Sequence, residues 1–139
     1  MCMGEHVKRW RIERKISQRQ AAQLLGVTSW TVFNWETGRT KPAIEAMPTI
    51  IRFLGRDPFP APASLPERLL AKRRAMGWST KKAAKELGVD LCAWSDWEQG
   101  GVILHRAHRK MVAQLLGLSL EDVDQEMRER WNRSHERPR

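Results

Sequence analysis

The sequence of 139 residues has few cysteines and no long hydrophobic run. Its two cysteines, Cys2 and Cys92, are too few for a disulfide framework, and with the scattered histidines they do not give zinc-ligand spacing. We therefore predict free thiols and no metal. No apolar stretch approaches the roughly 20 residues that a membrane span requires, and no signal-peptide core is present. These absences predict a soluble, cytoplasmic protein with no membrane partner.

The sequence also lacks the patterns of an enzyme. No spacing of Ser, His and Asp brings a nucleophile, a base and an orienting group together, and no Gly-rich loop could hold a phosphate. His105 and His108, beside Arg106 and Arg109, are interpreted as phosphate-facing or surface residues. Four acidic residues are interpreted as the solvated face of a helix: Glu121, Asp122, Asp124 and Glu126. We predict no enzymatic activity and no cofactor.

The net charge of +9 and the pI of about 10.4 favour a polyanionic partner. Residues 1–57 hold ten Lys/Arg against five Asp/Glu, residues 58–118 again hold ten against five, and residues 119–139 hold five against six. The positive charge therefore belongs to the first two segments and not to a basic tail.

Residues 17–38 and 79–100 repeat one pattern at an offset of 62 positions. The matching positions are Ser17/Ser79, Ala21/Ala83, Ala22/Ala84, Leu25/Leu87, Gly26/Gly88, Val27/Val89, Trp35/Trp97, Glu36/Glu98 and Gly38/Gly100. Each copy with its flanks spans about 55 residues, a size that buries a modest core. The repeat predicts two small domains.

Capping residues and glycines divide the first copy into helices. Ser17 with Gln20 forms a capping box, Gly26 ends that helix in the left-handed conformation, and Thr28 caps the next helix, which ends at Gly38. A first helix is predicted over Glu5–Arg14 and a fourth from Pro48 to Gly55. The positions predicted to be buried are Ala21, Leu24, Leu25, Val32 and Trp35.

A Pro-rich segment separates the copies. We predict a domain over 1–57, a linker over 58–64, a second domain over 65–118, and a C-terminal helix and tail over 119–139. Helices of the second domain are predicted over Leu65–Met76, Thr80–Leu87, Leu91–Gln99 and Arg106–Leu116, with Asp90 as the cap of the third.

The C-terminal segment carries its own helical signal. Ser119 with Asp122 is a capping pattern, and the apolar residues that follow at helical spacing are Leu120, Val123, Met127 and Trp131. This amphipathic helix either completes the core of the second domain or docks on a partner chain. Residues 132–139 are predicted to be disordered.

Two helices joined by a tight Gly-containing turn present the second helix to the major groove of DNA. Residues 17–38 resemble the phage repressor/Cro (XRE-type) helix-turn-helix family in their Gln-x-x-x-Ala, Gly-Val-Thr and Trp-Glu-x-Gly patterns, over residues 5–55 and less well over 65–117. The resemblance implies an all-α fold of two tandem repressor-like helix-turn-helix domains, each of four or five helices. A Pro-rich linker joins them, and the C-terminal amphipathic helix follows.

The resemblance also implies DNA contacts in the first copy. Gln18 would touch phosphate and brace the recognition helix, Asn34 could pair with adenine, and aromatic side chains could pack on thymine methyls. The implied contacts are Gln18, Ser29, Trp30, Thr31, Phe33, Asn34, Arg39, Thr40 and Lys41. Trp30 and Phe33 could instead form a protein interface. Structural ion pairs are implied in each copy: Arg11 with Glu36, and Arg73 with Glu98.

The second copy departs from the family pattern. Thr80 replaces Gln18, and residues 101–104 replace the basic loop without a phosphate ligand. The candidate DNA contacts of this copy are Thr80, Lys81, Leu91, Cys92, Ser95 and Asp96. Six basic residues keep the domain positive: Lys81, Lys82, Lys85, Arg106, Arg109 and Lys110. An auxiliary DNA contact and a protein-interaction or dimerisation role both remain open for it.

The resemblance implies a sequence-specific double-stranded DNA-binding regulator, acting as a repressor in a bacterial nucleoid or a phage-infected host. The alternative is a protein-interaction adaptor, such as an antitoxin or a phage-encoded host modulator. A homodimer through the C-terminal helix or the exposed tryptophan faces is compatible with both.

Overall fold

The computed structural model describes residues 2–100 and 103–135, and all the regular structure in that part of the chain is helical. The helices are α1 (Met3–Glu13), α2 (Gln18–Leu25), α3 (Ser29–Thr37), α4 (Met47–Leu54), α5 (Leu65–Met76), α6 (Thr80–Leu87), α7 (Leu91–Gln99), α8 (Arg106–Leu116) and α9 (Leu120–His135). One 3-10 turn, Ile44–Ala46, precedes α4. The predicted all-α class is confirmed.

The chain divides into two compact units. Unit 1 comprises the residues up to Ala61 together with Arg74–Gly77, and unit 2 comprises Pro62–Arg73 and the residues from Trp78 onward. Residues 58–64, the predicted linker, contain no helix.

Local side-chain bonds set the ends of the helices in unit 1. Ser17 Oγ accepts the Gln20 N–H at 3.1 Å, while Gln20 Oε1 accepts the Ser17 N–H at 2.8 Å. Gly26, with φ +72°, ends α2, and Thr28 Oγ1 accepts the Thr31 N–H to start α3. These caps were predicted and are confirmed. The buried core they position consists of Met3, Val7, Ala22, Leu25, Val32, Trp35 and Ile50.

Two predictions for unit 1 were wrong. Helix α1 begins at Met3 rather than at Glu5, because Cys2 is the N-cap residue and its N–H binds the Glu5 carboxylate at 3.0 Å. Leu24 was predicted to be buried but is 64% exposed. The packed side of α2 is formed by Ala21, Ala22 and Leu25, which leaves Leu24 facing solvent.

In unit 2 the bounds of α5, α6, α7 and α8 coincide with the predicted ones. Asp90 precedes α7 but makes no capping side-chain bond, contrary to the prediction. Helix α9 runs to His135, so the prediction of disorder over residues 132–135 was also wrong, and residues 136–139 lie outside the described part of the chain.

Helix α9 completes the core of unit 2. Val123 and Met127 are each 1% exposed, whereas Leu120 and Trp131 are about half exposed. The Glu126 carboxylate accepts the Leu65 N–H at 3.0 Å, at the start of α5. Of the two predicted alternatives for this helix, completion of the core of unit 2 therefore holds at Val123 and Met127.

Two acidic side chains of α9 are therefore not on a solvated face. Asp124 pairs with Arg109 at 3.1 Å, and Glu126 binds the start of α5. The solvated-face interpretation was wrong for both, whereas Glu121 and Asp122 are exposed. Arg109 also donates to the Leu104 carbonyl at 2.8 Å, so its guanidinium joins α8 to the preceding loop and to α9.

Candidate nucleic-acid interface

A carboxylate at the end of α3 joins three helices of unit 1. The Glu36 side chain is only 2% exposed, and its Oε1 accepts bonds from Arg11 Nη2 at 2.7 Å and Arg11 Nε at 3.1 Å. Gln18 Nε2 donates to the other oxygen at 3.0 Å, and Arg11 Nη1 binds the Ile16 carbonyl. Because α1 and α2 both hold Glu36, the angle at which α3 is presented is fixed.

The outward side of α3 carries an aromatic surface. Trp30 is 60% exposed and Phe33 is half-buried, and their rings stack with centroids 5.4 Å apart and an interplanar angle of 19°. The Arg39 guanidinium lies 5.8 Å from the Trp30 ring centroid, within reach of a cation–π interaction. Ser29 is exposed beside this surface and Thr31 is half-buried.

Asn34 is less accessible than its place on α3 suggests. The residue is half-buried, and its Oδ1 is buried with no hydrogen-bond partner among the described residues. Its backbone carbonyl accepts the Thr40 N–H at 3.4 Å. A rotation of the Asn34 side chain is needed before Oδ1 can accept a hydrogen bond from a base edge.

The loop after α3 is exposed and basic. Arg39, Thr40 and Lys41 are all exposed, but the Thr40 N–H is bonded within the chain. The contribution of this loop to an anionic partner therefore comes from the Arg39 and Lys41 side chains more than from the Thr40 amide.

Unit 2 repeats the ion pair but not the surrounding network. Arg73 Nε and Nη2 donate to Glu98 at 2.5 and 3.2 Å, and Arg73 Nη1 binds the Trp78 carbonyl. The Glu98 side chain is 15% exposed. Thr80, at the position of Gln18, makes no side-chain bond to Glu98 among the described contacts.

The outward side of α7 has no exposed aromatic ring. Leu91 is 46% exposed, Cys92 and Asp96 are exposed, and Ser95 is half-buried, while Trp94 is fully buried. Of the loop 101–104, residues 101 and 102 lie outside the described residues, and Leu104 is 2% exposed. At the position that Asn34 occupies in unit 1, this face carries the carboxylate of Asp96.

The basic surface predicted for unit 2 is partly neutralised. Lys81 is exposed, but Lys82 lies 2.8 Å from Glu86, and its hydrogen bond and charge lower the pKa of Glu86. The His108 ring packs 5.1 Å from that of Trp97 and so belongs to the packed side of α8.

Sequence reasoning missed the bond from Gln18 to Glu36 and the approach of Arg39 to Trp30. The sequence contained a signal for the aromatic stack alone, because Trp30 and Phe33 are three residues apart and lie on one helical face.

Among the described residues no group of three or more His, Cys, Asp or Glu side chains could hold a metal ion. In the same part of the chain, no helix has the length and apolar character needed to cross a membrane.

Residues 7–59 match a sequence-family model described as helix-turn-helix. The match begins within α1, covers α2 to α4 and ends before unit 2. Comparison with curated proteins and with solved structures gives no match.

Proposed function

We propose that this protein is a sequence-specific double-stranded DNA-binding regulator that represses transcription by occupying its operator. One observation supports this proposal above others. Within the segment that matches the helix-turn-helix family, α3 presents an exposed polar and aromatic face directly before the basic loop Arg39–Lys41. A helix of this kind fits the major groove of DNA, and the loop that follows it would then lie next to the phosphate backbone.

Base reading is assigned to α3. Ser29 and Thr31 near its start can bond base edges, and Trp30 with Phe33 offers an apolar surface to thymine methyls. Asn34, after rotation of its side chain, can pair with adenine through both of its amide atoms.

Positioning is assigned to the residues around α3. Arg39 and Lys41 carry the charges that would neutralise phosphate, which gives affinity without sequence information. Because the amide of Gln18 is already bonded to Glu36, its main role is to hold α3. Any phosphate contact at the start of α2 then comes from its N-terminal amides.

Unit 2 is proposed to be a second, divergent copy with a weaker role. Its carboxylate at Asp96 repels phosphate, and two of its basic residues, Lys82 and Arg109, are paired with acids. Joined to unit 1 in one cytoplasmic chain, it would add affinity through effective concentration if it touches DNA at all.

Fluorescence anisotropy on duplexes selected by the purified chain tests this function. We expect affinity for the selected duplex to exceed that for a scrambled duplex by roughly 10³-fold or more, and both to fall steeply as salt rises. Equal affinity for the two duplexes would contradict base reading. A salt-independent interaction with protein alone would favour the adaptor alternative. Reporter transcription from the selected site, with and without the chain, tests repression.

A further inference from the structure

An apolar groove lies on unit 1, between the start of α1 and the loop that follows α3. Its volume is about 330 Å³. Its lining includes Met3, Gly4, Trp35, Lys41, Met47 and Phe59, and Lys41 is the one charged side chain among the described lining residues. The groove therefore combines an apolar floor with a basic rim.

Unit 2 carries a helix at the corresponding face. Three groove positions have counterparts at the offset of 62 that contact α9: Met3 with Leu65, Pro42 with Leu104, and Met47 with Arg109. All three counterparts contact α9: the Leu65 N–H binds Glu126, the Leu104 N–H approaches Met127 Sδ at 3.4 Å, and Arg109 pairs with Asp124. The face that is a groove in unit 1 is thus a helix-binding face in unit 2.

Unit 1 has no helix of its own at this face among the described residues. After α4 the chain enters the Pro-rich segment, and Phe59 is the residue of that segment that lines the groove. Phe59 is half-buried, with the Arg74 guanidinium 4.4 Å from its ring centroid, and Met3 is only 3% exposed, so the open volume lies toward Met47. One aromatic ring thus stands in unit 1 where a sixteen-residue helix lies in unit 2.

Charge indicates what kind of helix the groove accepts. Helix α9 meets unit 2 through two carboxylates, one of which binds the amide of the first residue of α5. In unit 1 the chain's own Glu5 carboxylate already binds the Cys2 N–H at the start of α1, so the charge left to be met is that of Lys41 at the rim. An acidic amphipathic helix complements this charge. Because Met47 replaces Arg109, that helix needs an apolar residue where α9 has Asp124.

We propose that this groove binds an acidic amphipathic helix of a partner protein, and that binding there competes with DNA. The competition rests on the proposed function, since Lys41 lines the groove and also belongs to the loop assigned to phosphate. The protein would then release its operator when such a partner is present.

A synthetic peptide of residues 119–135 carrying D124L is the probe, because the substitution suits Met47 and removes the partner of Arg109. The full chain, labelled at its methionine methyls, is titrated with the peptide and followed by NMR. We expect the Met3 and Met47 methyl signals to shift while that of Met127, in the core of unit 2, stays in place. Met47→Glu should weaken binding roughly tenfold or more, because it puts a charge in the apolar floor.

Two further variants make the titration decisive. Leu24→Glu makes the same kind of change at an exposed position of unit 1 outside the groove and should leave peptide affinity unchanged. Lys41→Glu reverses the rim charge and should weaken binding even if Met47→Glu fails to fold. A shift of Met127 without Met3 and Met47, or unchanged affinity in both groove variants, would overturn the proposal.

The same peptide, added to the chain on labelled duplex, tests the competition. We expect it to release DNA from the wild-type chain and to need a higher concentration to do so for Met47→Glu. Peptide binding without release would overturn the competition alone. Absence of DNA binding before peptide is added would instead contradict the proposed function.

Discussion

In both units an Arg side chain of the first helix joins a Glu side chain at the end of the third, yet the two carboxylates are not equally buried. The Glu36 side chain is 2% exposed and is also bonded by Gln18, whereas that of Glu98 is 15% exposed and depends on Arg73. Because the Glu36 carboxylate is shielded from water, the loss of Arg11 should destabilise unit 1 more than the loss of Arg73 destabilises unit 2.

The units also differ in how the side next to that pair is covered. Unit 2 uses α9, with Val123 and Met127 in its core, while unit 1 uses Phe59, with Arg74 over its ring, and keeps a groove. The same framework therefore serves two purposes. In our proposal unit 1 uses its outer surfaces to bind partners, whereas α9 covers part of unit 2 and completes its core.

The largest expected effect is on the free energy of unfolding when the Arg11–Glu36 ion pair is broken, compared with the Arg73–Glu98 pair. Arg11→Ala leaves the buried Glu36 carboxylate without its cation and should destabilise unit 1 by about 3–5 kcal/mol. Arg73→Ala should cost unit 2 less, because water can reach Glu98. Denaturant-dependent hydrogen exchange of the α3 and α7 amides reports each unit separately. A larger loss for Arg73→Ala would contradict the difference in burial.

The next largest effect concerns helix α9, which completes the core of unit 2. Glu126→Ala removes the acceptor of the Leu65 N–H, which lies at a residue only 3% exposed, and should destabilise unit 2 by about 1–3 kcal/mol. Exposed Glu121, changed to Ala on the same helix, should stay within about 0.5 kcal/mol of wild type. Denaturant-dependent hydrogen exchange of the full chains measures both and reports the amides of each unit separately. Loss of protection in unit 1 amides instead would show that α9 acts elsewhere.

Base discrimination should depend on unit 1 alone. Asn34→Ala should reduce the preference for the selected operator by about 1–3 kcal/mol while leaving stability nearly unchanged, because its Oδ1 bonds nothing in the chain. Asp96 occupies the corresponding position of unit 2, and Asp96→Ala should leave the preference intact. Competition binding with single-base operator variants provides the measurement. Equal effects of the two substitutions would mean that both units read bases.

The smallest effect is on salt dependence. Lys41→Ala should weaken binding to all duplexes similarly and flatten the logarithmic salt slope by about 1. Lys85→Ala removes one exposed charge from unit 2 and should leave the slope as it was if phosphate contacts lie in unit 1. Anisotropy titrations across a range of salt concentrations compare them.

Caps and glycines made most helix ends predictable, because those signals act within a few residues. The capping box at Ser17, the left-handed turn at Gly26 and the bounds of all four helices α5 to α8 depend on local geometry. Burial was harder to predict where tertiary packing decides. Leu24 has helical spacing from Ala21, but the neighbouring helices pack against Ala22 instead.

Long-range polar partners could not be read from the sequence. Nothing in the spacing of Asp124 and Glu126 shows that one meets Arg109 and the other meets the start of α5, since each contact joins different helices and depends on how those helices pack. The burial of Asn34 Oδ1 could not be predicted either, because helical position gives the face of a residue but not its rotamer.

Selection of bound fragments from random duplex DNA tests the central difference between the units most directly. The purified wild-type chain is compared with a variant of α3 carrying W30A and N34A, and with a variant of α7 carrying C92A and D96A. We predict that the wild type and the α7 variant enrich the same sequence motif and that the α3 variant enriches none. A motif that survives in the α3 variant, or is lost in the α7 variant, would contradict base reading by unit 1.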